Sequence, residues 1–131
     1  MAGSSTADGP DVRPGADGPC FFFDLASPEA YLSAERILGL VPVPCEWVPV
    51  QIGPAAVDRA AIEANARARD LQPLRWPPAV PFDSTFALRA ATYAKGSGKV
   101  VPFALAAFRQ AYAGGRDLAR PDDVLIAGAA C

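Results

Sequence analysis

The chain has 131 residues, of which 51% are hydrophobic and 20% charged, and a net charge of −2. That is the composition of one globular domain able to bury a core, without the basic face that nucleic acid or an anionic membrane requires. Histidine is absent, which excludes Ser-His-Asp and Cys-His catalysis and histidine-ligated zinc.

Residues 1–19 are rich in Gly, Pro, Ser, Ala and Asp, with Val12 the only branched apolar residue. Such a segment buries too little apolar surface to offset its ordering entropy, so a disordered tail is expected. It lacks the basic start and apolar run of a secretory signal. No stretch approaches the roughly 20 apolar residues of a membrane span. A cytoplasmic protein is the expectation.

The run from Cys20 to Leu25, with three consecutive phenylalanines, predicts a buried strand interrupted by Asp24. Ser27, Pro28 and Glu29 then supply a helix N-cap, a first-position proline and a first-turn acid. The helix is expected to reach about Leu38 and to end at Gly39, with Tyr31, Ala34, Ile37 and Leu38 on one face. Cys45 to Ile52 predicts a second strand, edge-like because of Pro49. Strand, helix and strand with short links form a βαβ unit with parallel strands.

From Ala55 to about Asp70 the sequence predicts an amphipathic helix, with Val57, Ala60, Ala61, Ala64 and Ala68 on its apolar side. The proline-rich segment 71–81 predicts an irregular connection. Asp83 can cap a helix from about Ser84 to Lys95, with Phe86, Ala90 and Tyr93 as its stripe. A further helix from about Val101 to Ala113 carries Leu105, Phe108 and Tyr112. A last one spans about Asp122 to Ala130. The expected layout is therefore α/β: residues 20–53 form the βαβ half and residues 54–131 a helical region. Two parallel strands make an unusually small sheet, and its Phe21 to Phe23 strand should expose apolar surface.

Cys20, Cys45 and Cys131 lie far apart with no CxxC motif, which excludes a CxxC redox dithiol and a four-cysteine metal site. Reduced thiols, or one disulfide with a thiol left over, stay open. Three places could carry chemistry. Ser27 stands between the first strand's carboxyl end and the first helix, where open α/β folds bind ligands and helix N–H groups favour an anion. Its hydroxyl could donate to a thiolate and lower that thiol's pKa, or serve only as the cap. Trp76 could line an apolar pocket or anchor its loop. Arg67, Arg69, Arg75 and Arg89 could hold a carboxylate, or could face solvent. Asp122 and Asp123 read most simply as first-turn acids of the last helix.

Residues 21–32, Phe-Phe-Phe-Asp-Leu-Ala-Ser-Pro-Glu-Ala-Tyr-Leu, resemble the opening of 2-hydroxychromene-2-carboxylate isomerases and kappa-class glutathione transferases. Both families belong to the DsbA-like branch of the thioredoxin superfamily. The resemblance continues through residues 45–50, 74–78, 81–83, 88–91, 103–112 and 121–126. It implies a partial thioredoxin-like fold, an N-terminal βαβ with an inserted α-helical domain. It also implies a glutathione-dependent isomerase in which Ser27 binds and stabilises the thiolate of glutathione or another low-molecular-weight thiol. A small-molecule substrate, no metal and a homodimer follow from the same resemblance. The chain departs from the family in three ways. The C-terminal strands and helix are expected to be absent, as in a truncated member. No cis-proline counterpart is identifiable, and residues 51–56 lack the family's Asn-containing, Lys-bearing thiol-contacting segment. A kappa-type transferase, an oxidoreductase relative without its dithiol, and an inactive fragment completed by a partner are the alternatives.

Overall fold

A computed structural model describes residues 18–53 and 55–131; most of the expected N-terminal tail lies outside the described residues. Strand β1 is Cys20–Phe23, followed by helices α1 (Pro28–Ala34) and α2 (Ile37–Leu40) and strand β2 (Glu46–Pro49). Four helices complete the order: α3 (Arg59–Ala68), α4 (Thr85–Gly96), α5 (Val100–Tyr112) and α6 (Pro121–Ala129). The strands are parallel, with Phe21 opposite Trp47 and Phe22 opposite Val48. The expected βαβ unit with four following helices is present, as a mixed α/β arrangement.

Alternation along the strands separates two faces. Phe21, Phe23 and Trp47 are buried, whereas Phe22 is 60% exposed on the opposite face. The inward rings join one aromatic cluster. Phe21 meets Trp47 edge-on at 4.9 Å, Phe23 lies 5.8 Å from Phe108, and Tyr31 stacks on Tyr112 at 5.5 Å. Edge and offset-stacked contacts of this kind add about 0.5–1.5 kcal/mol each beyond area burial. The Tyr112 hydroxyl, buried, donates to the Leu25 carbonyl at 3.0 Å. Burial lifts its pKa far above the usual tyrosine range, so it stays a donor.

Several boundaries differ from expectation, each for a local reason. β1 stops at Phe23 because Asp24 turns its carboxylate back onto the Ala26 N–H. The first helix breaks after Ala34: Arg36 N–H bonds to Ser33 in a tightened last turn, and Glu35 is held by Arg109 of α5 at 2.7 and 3.0 Å. Leu38 consequently points outward at 61% exposure. α3 begins at Arg59, because Asp58 caps it through the Ala61 N–H at 3.1 Å.

The inward faces of two helices also differ. α3 buries Ile62 and Ala66 rather than the predicted alanine side. α4 buries Ala87, Leu88 and Ala91, leaving Phe86 40% and Tyr93 80% exposed. α4 packs mainly on α5, whose buried face includes Ala104, Ala107 and Ala111. Small residues let the two backbones approach, and the large rings turn outward. Ser84 occupies the N-cap position of α4 without a capping bond, while Asp83 accepts the Thr85 N–H at 2.9 Å.

Candidate functional site

Asp24 organises the end of β1. It is 3% exposed and its carboxylate accepts three hydrogen bonds. Oδ1 takes the Ala26 N–H at 2.9 Å and the Ser84 hydroxyl at 2.7 Å, and Oδ2 takes the Ile52 N–H at 2.9 Å. A buried carboxylate needs this degree of satisfaction. The bonds tie the turn after β1 to the chain leaving β2 and to the start of α4.

Ser27 follows directly. Its N–H donates to the Asp24 carbonyl at 2.9 Å, which fixes the turn. Its extended backbone (φ −97°, ψ 113°) and hydroxyl make it the N-cap of α1, with Oγ accepting the Ala30 N–H at 3.2 Å. Ser27 thus caps α1, and this leaves the hydroxyl hydrogen uncommitted among the described residues. Ser27 is partly exposed and lines a cavity of about 310 Å³ with Asp24, Glu29, Asp58, Asn65 and Pro81. Asp58, Ala61, Ile62 and Asn65 reach this cavity together because they recur on one face of α3.

A cis peptide bond joins Val80 to Pro81, and Pro81 stands at the cavity wall. Pro81 belongs to the proline-rich segment between α3 and α4. The cavity's charged lining is acidic: Asp24, Glu29 and Asp58 contribute carboxylates, and among the described residues no Lys or Arg lines it.

The other sequence candidates lie elsewhere. Trp76 is a loop anchor: its Nε1–H donates to Glu63 at 2.7 Å, Arg59 stacks 5.1 Å from its ring, and its edge meets Tyr112. Arg67, Arg69, Arg75 and Arg89 are exposed and do not line the cavity. Asp122 and Asp123 are first-turn acids of α6. The thiols of Cys20, Cys45 and Cys131 are free. Burial pushes the Cys45 thiol up, with Cys20 adding to the effect, the reverse of what an activated nucleophile needs.

Sequence reasoning found Ser27 but missed Asp24, Asp58 and Asn65 as its neighbours. The Asp58–Asn65 spacing could have revealed that face, had the α3 N-cap been located at Asp58. Among the described residues, no group of three His, Cys, Asp or Glu is placed to hold a metal, and no helix is long and apolar enough to cross a membrane. Compared with known proteins, the chain matches no family model and no curated sequence.

Proposed function

We propose that this chain carries the thiol site of a glutathione-dependent isomerase of the 2-hydroxychromene-2-carboxylate type, within a partial thioredoxin-like fold. Ser27 is the residue that stabilises the thiolate. One observation carries the reading: Ser27 Oγ accepts from Ala30 while its own hydrogen is uncommitted among the described residues, in the lining of a cavity where β1 ends and α1 begins. A thiolate there would receive that hydrogen bond and would sit at the positive end of α1. Both effects favour the anion over the thiol.

In the proposed reaction the thiolate adds to the conjugated double bond of an unsaturated acid, and the displaced electron pair is delocalised as an enolate. Rotation follows about the bond that has become single. The enolate then reforms the double bond and expels the thiolate, so no thiol is consumed.

Calorimetry with glutathione tests this, using the wild type, Ser27→Ala and Ser27→Asp. Asp keeps the cap but sets a carboxylate against the thiolate. Binding lost in both variants supports the role. Binding retained in Ser27→Ala, or absent from folded wild type, refutes it.

A second reading has its own support. Glutathione is anionic, and among the described residues three carboxylates and no basic side chain line this cavity. That balance favours an inactive thioredoxin-fold fragment or binding module over a thiol-dependent enzyme. It predicts that the folded wild type binds glutathione no better than Ser27→Ala, with no saturable binding by either.

A further inference from the structure

We propose that the groove between α4, α5 and α6 binds an amphiphile with an apolar body and one anionic head, of the fatty-carboxylate class. The groove encloses about 470 Å³, within the ordinary range for a small-molecule site, about 300–1,000 Å³. It shares no lining residue with the cavity at Ser27.

The walls come from the large residues that α4–α5 packing turns outward. Phe86 and Tyr93 of α4, Phe103 near the start of α5, and Val124 and Leu125 of α6 line the groove together. Tyr93 is 80% and Leu125 62% exposed. Such a concave apolar stripe gains by covering itself with an apolar body. Gly128 keeps the floor open: a Cβ built there would meet only Phe103 Cε1, at 4.0 Å.

Charge selects the head group. Lys99, at the N-cap of α5, is the only charged side chain lining the groove among the described residues. Lys99 has no salt-bridge partner among the described residues, and no Asp or Glu lines the groove to compete for it. An apolar trough with a single cation at its rim matches an apolar chain ending in a carboxylate. It disfavours a cation or an extended polar ligand.

The test is titration of the full chain with dodecanoate and, separately, with dodecanol, in the wild type, Gly128→Leu and Lys99→Glu. Both changes fall at exposed positions, and Leu is the better helix former at residue 128; far-UV circular dichroism checks that the fold is kept. The expected result is saturable 1:1 binding of dodecanoate. Gly128→Leu should weaken it at least tenfold by filling the floor. Lys99→Glu should weaken dodecanoate about fivefold while leaving dodecanol unchanged. No saturable binding, unchanged affinity in Gly128→Leu, or equal loss of dodecanoate and dodecanol in Lys99→Glu overturns the proposal. A ligand-free dimer in sedimentation velocity that Gly128→Leu dissociates also overturns it, and assigns the groove to a second copy.

Discussion

Asp24 offers the sharpest test of how this structure is held together. Replacing it with Ala removes the acceptor for three donors at once, the Ala26 and Ile52 N–H groups and the Ser84 hydroxyl. Hydrogen bonds to a charged acceptor contribute about 1.5–3 kcal/mol each, and a stranded buried donor costs about 1–3 kcal/mol. Ile52 itself is exposed, so water can recover part of its loss. The expected destabilisation is therefore about 3–5 kcal/mol, a large share of the total stability of a domain this size. Asp24→Asn gives the intermediate case. An amide oxygen at the Oδ1 position keeps the Ala26 and Ser84 bonds, while the NH₂ group faces the Ile52 N–H. About 1–2 kcal/mol should be lost. Urea unfolding followed by tryptophan fluorescence measures both, because Trp47 lies in the core. A loss below about 1 kcal/mol for Asp24→Ala would refute the reasoning, since it would mean that water replaces all three bonds freely.

The cap and the surface give further expectations. Ser27→Ala should cost about 1 kcal/mol in stability and Ser27→Asp much less, because only the latter can still accept the Ala30 N–H; equal losses in thermal melts would contradict the capping geometry. Glu35 is held below the usual carboxylate range, chiefly by the Arg109 hydrogen bond. Its contribution is therefore complete above the unfolded-state value, near about 4.3, and disappears as the pH falls through the lower folded value. Because Arg109 is half exposed, the pair should contribute only about 0.5–1 kcal/mol; Glu35→Gln should lose that amount at neutral pH and converge with the wild type in acid. A constant gap across the whole pH range would count against this linkage. Finally, Phe22→Lys should leave the melting temperature nearly unchanged and reduce self-association in light scattering, since the ring is 60% exposed on the uncovered sheet face. A marked loss of stability would show that the face is covered.

Local chemistry explains which features were legible. Ser27-Pro28-Glu29 announces a helix start wherever it occurs, and the α1 cap lies where those residues predict it. The run from Cys20 to Leu25 is likewise legible as a strand, but three identical residues carry no signal for which rings go inward, and the structure buries Phe21 and Phe23 and exposes Phe22. The face of α4 differs from expectation because hydrophobic periodicity favours the largest side chains as the core stripe, whereas α3 differs in the opposite sense, turning Ile62 and Ala66 inward rather than its alanine side. At α4 alanines occupy the helix contact, and Phe86 and Tyr93 are displaced from it. Asp24 was read as an interruption of the strand. Its role depends on Ile52 and Ser84, partners 28 and 60 residues away, which no local pattern encodes. The cavity at Ser27 was illegible for the same reason, since its other walls come from α3 and from Pro81.

The reach of these contacts has a consequence for how the chain is made. Tyr112 closes over Leu25 across 87 positions, Arg109 over Glu35 across 74, and Ser84 over Asp24 across 60. Synthesis proceeds from the amino end, so the phenylalanine-rich β1 is produced early yet cannot be buried until α5 exists. β2 arrives sooner, but two strands alone are at best marginally stable in water. Between the synthesis of β1 and that of α5 the nascent chain therefore carries an adhesive segment awaiting its lid. Holding factors that shield apolar segments on the ribosome should engage this chain at β1, and their release should coincide with the emergence of Tyr112.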